Sequence, residues 1–149
     1  MDPFLIVERD AAVVTLTLNR PSERNAISRT EDIQDIRDFC ADMTRDQSVK
    51  AIVVTGAGSA FCAGGNIKDM RDREGFFKGG PYELRNRYRD GIQQIPLALY
   101  ELEVPTIAAV NGPAIGAGLD LACMCDVRIA GESALFAESF VKLGIVPGD

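Results

Sequence analysis

The chain of 149 residues contains no histidine. That absence removes Ser-His-Asp and Cys-His arrangements and leaves a zinc site without its commonest nitrogen ligand. Acid–base chemistry then falls to carboxylates, lysine or tyrosine. The four cysteines, Cys40, Cys62, Cys123 and Cys125, show no disulfide-framework spacing, and Cys123-x-Cys125 is too tight for the usual zinc or redox pair. No metal site is expected. No apolar run approaches the ~20 residues of a membrane helix, and Met1-Asp2-Pro3-Phe4 is not a basic segment leading into an apolar one. A cytoplasmic, unprocessed protein with no membrane contact is therefore expected. A formal net charge of −6 weighs against a nucleic-acid partner. Two nucleotide motifs are missing as well. Gly56-x-Gly58 is followed by Phe61 where a dinucleotide fingerprint needs a third glycine, and no glycine stretch ends in Gly-Lys-Ser/Thr.

What is present is glycine in two places. Gly56-Ala57-Gly58-Ser59-Ala60-Phe61-Cys62-Ala63-Gly64-Gly65-Asn66-Ile67 follows the β-branched run Ala51–Thr55. Asn111-Gly112-Pro113-Ala114-Ile115-Gly116-Ala117-Gly118-Leu119-Asp120 follows Thr106–Val110. Small residues where a strand gives way to a helix let backbone N–H groups approach a ligand closely. Either stretch alone is as well explained by a tight turn. Together, with a carboxylate one turn into the second helix, they suggest two N–H groups aimed at one oxygen, the geometry of an oxyanion hole.

The remaining pattern is that of a single α/β domain over residues 1–149, with 46% hydrophobic and 26% charged residues. Phe4–Val7 and Ala12–Leu18 read as paired strands around a turn at Arg9-Asp10. Ser28-x-x-Glu31 reads as a capping box for a helix whose apolar stripe is Ile33, Ile36, Phe39, Cys40 and Met43. Ile67–Arg73 suggests a short helix, and the glycine-flanked Phe76-Phe77 a mobile loop over 74–81 that covers something or packs on the next helix. That helix starts at Pro81, carries Leu84, Tyr88, Ile92 and Ile95, and is broken or restarted at Pro96. A helix from Gly116 to Cys125 is apolar all round and so expected to be buried. Val127–Ala130 and Leu135–Ala137 read as short strands. The last residues, Leu143 to Asp149, read as a turn with no closing element, as if the chain were truncated.

Five blocks in order resemble the crotonase superfamily, the enoyl-CoA hydratases and isomerases. Asn19-Arg20-Pro21 with Asn25-Ala26-Ile27 is similar to its N-R-P…N-A-[LI] segment. Residues 58–67 and 109–118 resemble its two glycine-rich blocks. Cys125–Ala130 and Leu143–Pro147 match later blocks. The resemblance implies a spiral of β-β-α repeats, acyl-CoA thioester substrates with coenzyme A as part of the substrate rather than a cofactor, and a homotrimer or dimer of trimers. It also implies a C-terminal helical part, which is missing here.

By position in those motifs, the resemblance makes Gly65 and Ala117 the backbone donors to the thioester oxygen. Asp120 falls where family hydratases carry their first catalytic glutamate, in an apolar run where its pKa should rise. The alternative is a helix-start aspartate balancing the dipole. The second glutamate's position holds Phe140, which favours isomerisation over two-carboxylate hydration. Glu138 stands two residues away. Asp149, after Pro147, resembles the aspartate of epoxyphenylacetyl-CoA isomerases. A CoA-binding subunit that has lost catalysis is the remaining alternative. Arg24, Ala26, Ala63, Gly64, Asn66, Ile67, Lys68 and Gly116 match positions near coenzyme A, with Arg24 and Lys68 equally readable as solvated surface.

Overall fold

The computed structural model describes residues 2–146. β1 (Leu5–Asp10) and β2 (Val13–Leu18) form an antiparallel hairpin in which Asp10 still faces Val13. The turn is therefore Ala11-Ala12 and not Arg9-Asp10. Arg9 stays in the strand because its guanidinium reaches Asp46 at 2.7 Å and Ser48 at 2.6 Å. Alternation in β2 buries Val14, Leu16 and Leu18.

α1 (Thr30–Arg45) buries Ile33, Ile36, Phe39 and Cys40, with Met43 packed against that core. Its cap is not the Ser28/Glu31 pair. Arg29 is the N-cap, and the Asp32 carboxylate accepts from the N–H groups of Ser28 (3.1 Å) and Arg29 (3.0 Å). Asp32 rather than Glu31 does this because Arg20 holds it inward, at 2.6 and 2.8 Å, while Glu31 is exposed.

β3 (Ala51–Gly56) runs parallel to β2 and leads through the first glycine stretch into α2 (Ile67–Asp72). The 74–81 loop is packed rather than free. Gly75–Phe77 is a 3-10 turn that buries Phe77, and Phe76 meets Phe77 and Tyr88 edge-on with ring centroids 5.3 and 5.6 Å apart. Arg87 clamps it by donating to the carbonyls of Phe76 and Lys78. α3 (Pro81–Asp90) carries proline at its first position. The break that follows is at Gly91, where a Cβ would lie 2.4 Å from the Arg87 carbonyl oxygen. Pro96 sits in the first turn of α4 (Gln94–Tyr100), where its missing N–H has no intrahelical acceptor to lose.

β4 (Thr106–Val110) runs parallel to β3, then β5 (Ala114–Ile115) leads into α5 (Ala117–Met124). Only Gly118, Leu121 and Ala122 of α5 are buried and Cys123 is exposed, so the helix has one buried face. β6 (Val127–Ala130) is parallel to β4, and β7 (Phe136–Ala137) is parallel to β5. Phe140 opens α6 (Phe140–Leu143) instead of extending β7.

The larger sheet runs β1-β2-β3-β4-β6, and the smaller pairs β5 with β7. Cys62 adds a parallel bridge to Ala114. Each turn of chain thus gives a long strand to one wall, a short one to the other, and then a helix: β3, Cys62, α2; β4, β5, α5; β6, β7, α6. This is the α/β spiral of β-β-α repeats. Its core lies between the large sheet and α1, α4 and α5, around Leu18, Ile36, Ile52, Val54, Val110 and Leu121.

Burial divides the cysteines sharply. It pushes the thiols of Cys40 and Cys62 up to about 12 and that of Cys125 up to about 11, and Cys123 is exposed. A thiol titration should therefore find one fast-reacting group in the native chain and all four cysteines of the sequence in guanidinium. Two fast groups in the native chain would contradict this packing.

Candidate active site

The site is assembled by polar side chains that bind backbone. Asn25, fully buried and at φ 57°, donates from Nδ2 to the carbonyls of Ala57 and Ala60, both at 2.9 Å. Its Oδ1 accepts from the Arg20 N–H at 2.9 Å. The 24–27 segment consequently lies along the first glycine stretch, with Ala63 N–H donating to Arg24 O (3.0 Å) and Ile27 N–H to Gly64 O (2.9 Å). Asn111 makes the corresponding tie from the second stretch, donating to Gly56 O at 2.8 Å and Gly58 O at 3.0 Å.

The two stretches then touch backbone to backbone. Ile115 N–H donates to Cys62 O at 3.0 Å, and Phe61 and Cys62 N–H both reach Pro113 O at 3.1 Å. No side chain fits between them. A Cβ at Gly118 would lie 2.1 Å from Cys62 O, and one at Gly64, whose φ is 76°, 2.5 Å from Ile115 O and 3.2 Å from the Ala117 nitrogen.

Gly65 and Ala117 come to line one cavity of about 80 Å³. Among the described residues neither N–H donates to a protein acceptor. For Ala117 this follows from its place as first residue of α5, since the first N–H groups of a helix have no intrahelical partner. Ala63, Ile67 and Gly116 line the same cavity, while Ala26 and Gly64 are buried in the backbone layer. Asn66 is occupied as N-cap of α2, accepting from Lys68 N–H at 3.0 Å. Arg24 and Lys68 are exposed, lie outside the cavity lining, and form no ion pair among the described residues.

One sequence candidate is placed differently. Asp120 does not line the cavity of the two amides. It borders a smaller neighbouring cavity between α4 and α5, which shares Ile27, Ile92 and Ala117 with the first, and its Oδ2 is buried. Asp149 lies outside the described residues. Phe140 does line the main cavity, with its Cζ 3.8 Å from where a Gly116 Cβ would be, while Glu138 is exposed and outside the lining. Met70, Tyr88, Ser28 and Ser139 also line it and were not foreseen. Tyr88 was legible only as part of a helix stripe, because its role depends on the 3-10 turn folding back. Cys62 is no nucleophile: fully buried, with its thiol donating to Asn25 O at 3.2 Å, it is pushed up to about 12 mainly by desolvation. No group of metal-ligating side chains occurs among the described residues, and no helix there is long and apolar enough to cross a membrane.

Residues 8–149 match the family model described as enoyl-CoA hydratase/isomerase. The chain is 45% identical over 148 residues to a Mycobacterium tuberculosis protein named probable enoyl-CoA hydratase EchA14, covering 99% of this chain and 54% of that one. It is 39% identical to the 2,3-dehydroadipyl-CoA hydratase of Escherichia coli, covering 97% and 52%. Among solved structures, an enoyl-CoA hydratase subunit I from Geobacillus kaustophilus superposes with a TM-score of 0.83 at 34% identity, over 98% of this chain and 53% of that one. The chain thus spans about half the length of the curated relatives it matches.

The backbone contact between the stretches is directly testable. Gly64→Ala adds a Cβ at positive φ against the Ile115 carbonyl and should cost more than about 2 kcal/mol in urea unfolding. Gly65→Ala meets the flexible end of Met70 at 2.6 Å and Phe77 Cζ at an ordinary contact distance of 3.6 Å, and should cost less than about 1 kcal/mol. Equal costs would mean that the stretches do not approach as described.

Proposed function

The chain belongs to the enoyl-CoA hydratase/isomerase family, and we propose that it acts on an acyl-CoA thioester through an enolate held by the N–H groups of Gly65 and Ala117. The observation that carries this reading is the pair of amides from successive turns of the spiral, both lining one cavity and neither donating to a protein acceptor among the described residues. A thioester carbonyl oxygen accepting both N–H groups gains charge when a proton leaves the α-carbon. Each preorganised donor is worth about 3 kcal/mol to that charge. The N-terminal end of α5 adds to the same effect.

Asp120 is assigned the proton transfer. It stands one turn from Ala117 on the same helix, and its cavity adjoins the first along the Ala117 wall. It removes a proton from one carbon of a 3-enoyl-CoA and returns it to the carbon at the far end of the delocalised enolate, moving the double bond into conjugation. Isomerisation of this kind needs a single base. Hydration must deliver both hydroxyl and proton, and Phe140, which occupies the cavity wall beside Gly116, has no group to orient water. The coenzyme A portion is assigned to the exposed edge at Ala63 and Lys68, with phosphates toward Arg24, cations that have no competing ion pair among the described residues. A homotrimer or dimer of trimers is the assembly this reading carries.

Asp120→Asn keeps size and polarity but removes the base, and should lower turnover of a 3-enoyl-CoA by roughly 10²–10⁴-fold. Unchanged turnover would remove Asp120 from the mechanism. In parallel, Arg24→Ala should raise KM and leave kcat nearly unchanged. A fall in kcat at constant KM would overturn the placement of the phosphates.

A further inference from the structure

The walls of the main cavity specify the acyl group. A chain whose carbonyl oxygen sits on Gly65 and Ala117 must leave between two faces. On one, Met70 Cε lies 2.6 Å and Phe77 Cζ 3.6 Å from the position a Gly65 Cβ would take. On the other, Phe140 Cζ and Cε1 lie 3.8 and 3.9 Å from the corresponding position at Gly116. Behind Phe77 the wall continues through Phe76 and Tyr88, whose rings are held edge-on at 5.6 Å, and through Ile92. The polar side chains in the lining are Ser28, Ser139 and Tyr88, and no residue of the lining carries a charge. Beyond the lining, the Arg87 guanidinium is engaged by the carbonyls of Phe76 and Lys78, and the Asp120 carboxylate borders the cavity that shares Ile27, Ile92 and Ala117 with this one.

Resting on the acyl-CoA reading above, we propose that the cavity takes an uncharged, apolar acyl chain and rejects one that ends in a carboxylate. An acyl carboxylate drawn in here would lose its water and meet aromatic and aliphatic side chains with no cation in the lining to pair it, and it would approach Asp120, which has the same charge when ionised. An acyl chain ending in a methyl group loses nothing by the same transfer and gains contact with the rings. The clamp of Arg87 on the Phe76 carbonyl holds this wall in place, so the selection does not wait on a loop closing.

The test uses a matched pair. Hexanoyl-CoA and adipyl-CoA carry the same six-carbon chain and differ only in a terminal methyl or carboxylate, and free coenzyme A serves as reference. By calorimetric titration at neutral pH, hexanoyl-CoA should bind the chain roughly 100-fold more tightly than adipyl-CoA. Met70→Lys, which places an unbranched cation in the wall, should narrow that difference to less than about tenfold. Equal binding of the two thioesters, or tighter binding of adipyl-CoA, overturns the apolar selection and leaves the acyl-CoA reading standing. A Met70→Lys variant that keeps the full difference overturns the role given to this wall. Binding of neither thioester above free coenzyme A overturns the acyl-CoA reading, and the selection with it.

Discussion

Everything at the site hangs on the buried carboxamide of Asn25. It joins a surface loop to the interior by donating to two carbonyls of the first glycine stretch and accepting from the Arg20 N–H. Net, such bonds contribute about 1 kcal/mol each, but a buried carbonyl left without its donor costs about 1–3 kcal/mol. The asymmetry makes Asn25 a device for position more than for stability. With it in place, Ala63 and Gly64 pair with Arg24 and Ile27, and the amide of Gly65 has one place to be. Arg20 is held in turn by Asp32, which is 1% exposed and also caps α1. The Asp32 hydrogen bonds raise the Arg20 pKa further above its usual range. A buried ion pair of this kind is weak evidence of stability in itself. Here it locks a helix start, a loop and Phe4, whose ring centroid lies 4.5 Å from the guanidinium carbon, into one geometry.

The spiral explains how residues 65 and 117 meet. In a stack of β-β-α turns, equivalent positions of successive turns are parallel neighbours, so the starts of α2 and α5 come at the same level on the same side. The separation between them is set by backbone contact. Gly64 and Gly118 are glycine because a carbonyl or amide of the neighbouring turn occupies the space of a Cβ. Ala117 bears a side chain without strain, because its φ lies outside the left-handed region, and its backbone N–H remains the donor that the proposed reading requires. Gly116, one residue earlier at φ 53°, takes the unusual conformation in its place.

Much of this was legible before any coordinates. Alternation gave β2, the apolar stripe gave α1, and the two glycine stretches announced a site at strand-to-helix junctions. The errors share one cause, which is that local signals yielded to partners distant in sequence. Glu31 satisfies the capping pattern as well as Asp32 does, but only Asp32 is reached by Arg20. Pro96 does mark a restart, in the first turn of α4, but the break itself falls at Gly91, where Phe76 and the Arg87 carbonyl crowd the chain. Phe76 and Phe77 looked like a free cover until Arg87 and Tyr88 supplied something for them to hold. The orientation of Asp120 was the least legible feature. A carboxylate in the first turn of an apolar helix can face either of two cavities, and periodicity does not say which.

That orientation and the apolar lining follow from one electrostatic demand. Two N–H dipoles stabilise a developing oxyanion best where water is absent and the surroundings polarise little, because the same donors are worth far less in a high-dielectric site. A full charge placed permanently in such a cavity would draw water back in and compete with the oxyanion for the donors. The walls beside Gly65 and Ala117 are neutral, formed by Phe77, Phe140 and Met70. On the proposed reading, a carboxylate bordering the adjoining cavity at Ala117, as Asp120 does, leaves the walls around the two amides uncharged. On that same reading, neutral walls around the two amides suit a reaction that moves a single proton.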